Sequence, residues 1–236
     1  MAGWLERAAG PGGAAMALVY LELVIALTLL PTVFHFRRLR ETRDELKAVR
    51  LYFLTFFGLV LVLPCLLIFA TAGQPFRVLS AFGWTLGRAG LGAALTLGGL
   101  PLAILAGSIG SRDPSLQGMY PFAKAACADR RTFAGYELSY IILYYLPWEF
   151  VFRGVLFLPL IPAIGLVPAL AVQTIISTLL HAGHPDTEIF AAAGAGLAFG
   201  LIAHFTGSFL YSFVLHASVG VATDTFICLR RRKAGP

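Results

Sequence analysis

The 236 residues are 58% hydrophobic and only 13% charged, with a mean hydropathy of +0.80. A soluble domain is about half apolar and about a quarter charged, so this composition excludes a disordered chain, a disulfide scaffold and an ordinary water-soluble enzyme. The excess of 18 Lys plus Arg over 12 Asp plus Glu gives +6, and in so apolar a chain it belongs to the flanks of membrane spans, not to a nucleic-acid surface.

Apolar stretches follow one another at residues 14–36, 51–72, 87–110, 136–160, 165–180, 189–205 and 208–229. About 20 residues are needed to cross roughly 30 Å of hydrocarbon, so the fifth and sixth are short and are expected to shelter beside neighbours. All are predicted to be helices, because an open strand in lipid leaves its backbone polar groups unpaired. Residues 1–13 carry Arg7 beside Glu6. Without a basic leader or a small-residue cleavage site, the first stretch is expected to stay as an uncleaved helix.

Arg37, Arg38, Arg40, Arg43, Lys47 and Arg50 fall in the first connection, with Arg112, Lys124, Arg130 and Arg131 in the third and Arg230 to Lys233 in the tail. With about seven spans these all lie on one side, which predicts an all-α polytopic transmembrane bundle with the N-terminus out and the C-terminus in. The chain divides into 1–135 (three helices and basic loops), 136–229 (a helical core that carries the chemistry) and 230–236 (a basic tail). The odd set Cys65, Cys127 and Cys228 signals neither a disulfide framework nor a CxxC metal site. The Gly196/Gly200 step reads as close helix packing and not as a dimer motif.

Ionisable side chains inside spans are costly and turn toward protein. Apart from Glu22, they are Glu149, Arg153, His204, His216 and Asp224, with His181 at a helix end, and they crowd into the last hundred residues. Glu149 and Arg153 are four apart and share a helix face. Pro147 just before them is expected to kink or start that helix. A buried ion pair and single core histidines are the structural alternative; His204 and Asp224 are assigned to it. Together, a carboxylate, a guanidinium and two imidazoles suit hydrolysis. Glu149 would act as base toward water, His181 would orient that water, His216 would donate to an oxyanion and Arg153 would hold Glu149. Two His and one Glu also match the protein ligands of a catalytic zinc, but no cofactor is favoured here. His181 and His184 alone do not define a metal site.

Pro147-Trp148-Glu149-Phe150-Val151-Phe152-Arg153-Gly154 resembles the EExxxRG motif of the CPBP family, the CAAX proteases and bacteriocin-processing enzymes. Ser177 to His181 resembles the family's FxxxH, and His216 to Gly220 its HxxxN or HxxxD, with the likeness covering residues 136–229. The resemblance implies an intramembrane glutamic endopeptidase acting on a membrane-anchored or membrane-embedded peptide. In that pattern the first glutamate and the second-motif histidine activate water, and the third-motif histidine and asparagine hold the oxyanion. Trp148 stands at the first glutamate, Gly220 at the asparagine and Ser177 at the phenylalanine. Glu149 is one position away, about 100° around a helix. Asp224 is eight residues past His216, about 12 Å along it, too far to replace the amide.

These readings predict a CAAX-protease-type peptide hydrolase in a lipid bilayer, on composition a bacterial inner membrane, with no nucleic-acid partner. The alternatives are a catalytically silent relative that binds a peptide as an immunity or scaffold protein, and a proton-relay transporter. Broken inverted repeats would favour transport and are absent from the sequence.

Overall fold

The computed structural model describes residues 13–33 and 44–234, with side chains over 16–28 and 44–233. Residues 1–12, the end of the first apolar stretch at 34–36 and the basic residues Arg37, Arg38, Arg40 and Arg43 lie outside the described residues. The described residues form helices and no strand: α1 Gly13–Val33, α2 Glu45–Thr71, α3 Pro75–Ala81, α4 Ala89–Gly110, α5 Pro114–Met119, α6 Arg130–Ile164, α7 Leu166–Leu179, α8 Asp186–Thr206 and α9 Leu210–Ala234. Among them α2, α4, α6, α8 and α9 are long and apolar enough to cross a membrane; α7 is shorter, as are the 13 residues Met16–Thr28 of α1. Leu66, Leu97, Val167 and Phe190 stand more than half exposed on this bundle. Exposed apolar faces of that kind are what a lipid-facing surface requires.

Two helices begin earlier than their apolar stretches. The Asp44 carboxylate accepts the Lys47 N–H at 3.0 Å and starts α2 at Glu45. Asp129 accepts from the N–H groups of Arg131 and Thr132 and starts α6 at Arg130. A cap is polar by necessity, so these first turns carry no hydrophobic signal.

Prolines set the register inside α2 and α6. Pro147 has no N–H to give, and the N–H of Leu146 before it reaches back to the Ile141 carbonyl, closing a π turn over Ile141–Tyr145. Pro64 comes after the π turn Gly58–Val62 in the same way. A second π turn of α6 covers Phe150–Val155. The expected break at Pro147 is therefore a register shift within one helix. Each inserted residue rotates the downstream side chains by about 100° relative to a regular helix.

The connections gather at two ends. At one, Arg88 N–H donates to the Thr206 carbonyl and Tyr211 Oη to Leu86, while Gly154 of α6 packs so closely on the Phe82 carbonyl that a Cβ there would lie 2.5 Å from it. At the other, Thr187 donates to Asp113, Glu45 accepts the Lys124 N–H, and Arg232 donates to the Cys127 carbonyl. Cys127 and Cys228 form a disulfide at this end, which the odd cysteine count concealed. Gly196 and Gly200 pack within the chain on α7, where Gln173 Nε2 donates to the Gly196 carbonyl at 2.8 Å.

Candidate active site

Glu149 is wholly buried on α6. Its Oε1 takes two partners: His216 Nδ1 of α9 at 2.7 Å and Arg153 Nη1, one turn on, at 3.2 Å. A carboxylate accepts, so Nδ1 of His216 carries a hydrogen, and in the neutral ring Nε2 has the lone pair. Arg153 also lies over the Phe199 ring of α8, 5.5 Å from its centroid. The ion pair thus joins three helices. Oε2 of Glu149 has no hydrogen-bond partner.

His181 sits in the turn after α7. Its Nδ1 donates to the Ser177 carbonyl at 2.8 Å, which likewise leaves Nε2 as an acceptor. Burial drives the His181 pKa down to about 4, against an opposing pull from that hydrogen bond. The ring is therefore neutral at physiological pH.

His181 and His216 line one cavity of about 510 Å³, and Glu149 does not; it stands behind His216. Tyr145 and Gly220 also line it. The two departures from the family pattern each have a physical consequence. The indole of Trp148 lies beside both imidazoles, with ring centroids 5.3 Å from His181 and 6.5 Å from His216. The Tyr145 phenol stacks edge-on to His216 at 4.8 Å and fills the space that a side chain at 220 would need. Gly220 is glycine because Tyr145 lies there.

The remaining sequence candidates separate. Asp224, assigned to structure alone, lines the same cavity two turns along α9 from His216. His184 Nδ1 is 3.0 Å from Glu188 Oε1 and belongs to a cluster with Tyr120, whose hydroxyl donates to that oxygen at 2.5 Å. His204 is at the far end of α8 beside Phe205, outside the cavity lining. Tyr145, Tyr120 and Glu188 were not singled out from sequence; a tyrosine in the run Ile141 to Leu146 reads as core, and Glu188 as a charged first turn.

A catalytic zinc needs a third protein ligand beside the two histidine Nε2 atoms, and Glu149 stands behind His216, outside the cavity lining and held by His216 and Arg153. Among the described residues no group of three or more His, Cys, Asp or Glu side chains is placed to hold a metal ion.

Residues 133–222 match the family model described as Rce1-like, type II CAAX prenyl endopeptidase Rce1-like. No curated protein and no solved structure matches the chain.

Proposed function

Since residues 133–222 are a segment of the CPBP, or CAAX-protease, family, we propose that this integral membrane protein is an intramembrane endopeptidase that hydrolyses a membrane-associated peptide at the His216–Glu149 pair. The observation that carries this reading is the 2.7 Å bond from His216 Nδ1 to a buried carboxylate, with the imidazole on the cavity wall. It exchanges the roles expected from sequence. Glu149 becomes the positioning residue and His216 the base.

The chemistry then runs through the chain's own groups. His216 Nε2 takes a proton from water as the water oxygen attacks the peptide carbonyl. Negative charge on that carbonyl oxygen meets the hydroxyl of Tyr145, which lines the cavity beside Gly220. His181 Nε2 accepts the second water hydrogen and orients the nucleophile. As the C–N bond breaks, His216 returns its proton to the leaving amine. Glu149 fixes the tautomer and balances the imidazolium that forms, while Arg153 anchors Glu149. The bilayer is that of a bacterial inner membrane, with the C-terminus inside.

A second reading is favoured by Trp148. An indole takes no proton, and it fills the position of the family's first glutamate between the two imidazoles. On that reading the cavity binds an anchored peptide without cutting it.

The test is to reconstitute the full chain in vesicles with a set of lipid-anchored peptides and identify products by mass spectrometry. A discrete cut that disappears in His216→Ala supports the peptidase. Saturable binding with no product, and a cut gained on Trp148→Glu, supports the silent binder and overturns the first reading.

A further inference from the structure

The cavity is longer than hydrolysis requires, and its two ends differ in charge. Along α9 the lining residues His216, Gly220, Thr223 and Asp224 form one stripe, which spans about 12 Å at 1.5 Å per residue. The facing stripe on α8 is made of alanines, Ala191, Ala192 and Ala195, between Glu188 and Phe199. An extended peptide rising about 3.3 Å per residue would lay three or four residues in such a groove. Beyond the imidazoles, the charged side chains that line it are Asp113, Glu188 and Asp224, and among the described residues no Lys or Arg lines it.

Asp224 is the telling residue. It is 1% exposed, neither carboxylate oxygen has a hydrogen-bond donor in good geometry, and it lines the cavity. Glu137 of α6, also buried and without a donor on either oxygen, lies close enough to interact with it, as do Tyr136 and Lys124. The Lys124 ammonium is held by the carbonyls of Tyr120 and Gln117 at 2.6 and 3.2 Å. Glu188 adds a buried Oε2 without a partner, its Oε1 being fixed by Tyr120 and His184. Asp113 is already engaged by Thr187 and by the Ser115 N–H. Carboxylates buried without donors demand a cation or a shared proton. If Glu137 and Asp224 share one proton, the remaining charge on the pair faces Lys124, and the surplus negative charge of the cavity wall is that of Glu188 and Asp113.

We infer that the Asp224–Glu188 end of the cavity is a subsite for a cationic group, the ammonium or guanidinium of a basic residue in the anchored peptide. This rests on the peptide-handling reading and adds a substrate class: a basic residue whose charge lies about 12 Å from the bond held at His216. Reach and charge, not a lipid group, set the selection at this end.

The test uses the full chain in neutral phosphatidylcholine vesicles, which do not themselves attract cations. Three dodecanoyl-anchored peptides differ at one position, as Lys, acetyl-lysine or norleucine. The Lys peptide should bind at least tenfold more tightly than the other two. Asp224→Asn, which keeps shape, and Glu188→Gln should each reduce that preference severalfold; a melting curve establishes that each variant is folded. Asp186→Asn, exposed and outside the cavity lining, should leave it. Equal binding of the three peptides overturns the cationic subsite while leaving the peptide-handling reading intact. If no peptide binds, that reading fails, and dodecylamine against dodecanol decides the subsite alone: a preference for the amine that Asp224→Asn removes upholds it, and no preference overturns it.

Discussion

The phenol oxygen of Tyr145 occupies the space that a Cβ on Gly220 would need, so α6 and α9 approach at this point only because position 220 has no side chain. Gly220→Ala should therefore cost about 1–3 kcal/mol, the usual penalty for forcing an extra carbon into a packed site. The same change in a Tyr145→Ala background should cost little more than Tyr145→Ala alone. Denaturation of the four proteins in a double-mutant cycle measures the coupling, and additive losses would mean that the two residues do not meet.

The Glu149–Arg153 pair gives a second cycle. Arg153→Ala leaves a buried carboxylate with His216 as its remaining partner, and breaking a buried pair in this way costs about 3–5 kcal/mol. Adding Glu149→Gln should recover much of that stability but not activity. Equal destabilisation in single and double variants would contradict the ion pair seen between them.

His181 imposes a pH dependence. Its pKa is depressed by burial to about 4, below the usual value of about 6.5 for an exposed histidine. Between these values the unfolded chain binds the proton and the folded chain does not, so stability rises with pH. The contribution is complete above about pH 6.5 and is lost progressively as pH falls toward 4. His181→Gln should flatten this part of the stability profile relative to the native chain, measured by melting at pH 4.5, 5.5 and 7. Parallel profiles would contradict it.

The helices and the pairing of the site were legible because membrane physics writes them in bulk. Seven apolar runs, and ionisable residues concentrated at Glu149, Arg153, His181, His216 and Asp224, survive a shift of a residue or two in any boundary. Features set by one hydrogen bond were not legible. The caps Asp44 and Asp129 lie outside the apolar pattern they start. The π turn before Pro147 shifts the register without changing composition. Tyr145 looks like any aromatic of the core, and its meaning emerges only opposite Gly220. Asp224, grouped with His204 as structural, lies two turns from His216, and sequence spacing does not reveal that both line one cavity.

Loop charge predicts the orientation of the bundle. A reporter fused after Lys233 should read cytoplasmic and one at the N-terminus external. Both reporters on one side would contradict seven spans and make a short helix such as α7 re-entrant.

The central claim is that the His216 imidazole, held by Glu149, takes the proton from water. The most direct measurement is the cleavage rate of an anchored peptide by the native chain, by Glu149→Gln and by His216→Ala with and without added imidazole. The native chain should cleave the peptide, and Glu149→Gln should be slower by about 10²–10⁴, the scale seen when the carboxylate orienting a catalytic histidine is neutralised. His216→Ala should be inactive until imidazole restores part of the rate. Native cleavage that survives His216→Ala, or a native chain that binds the peptide and never cuts it, would contradict the account.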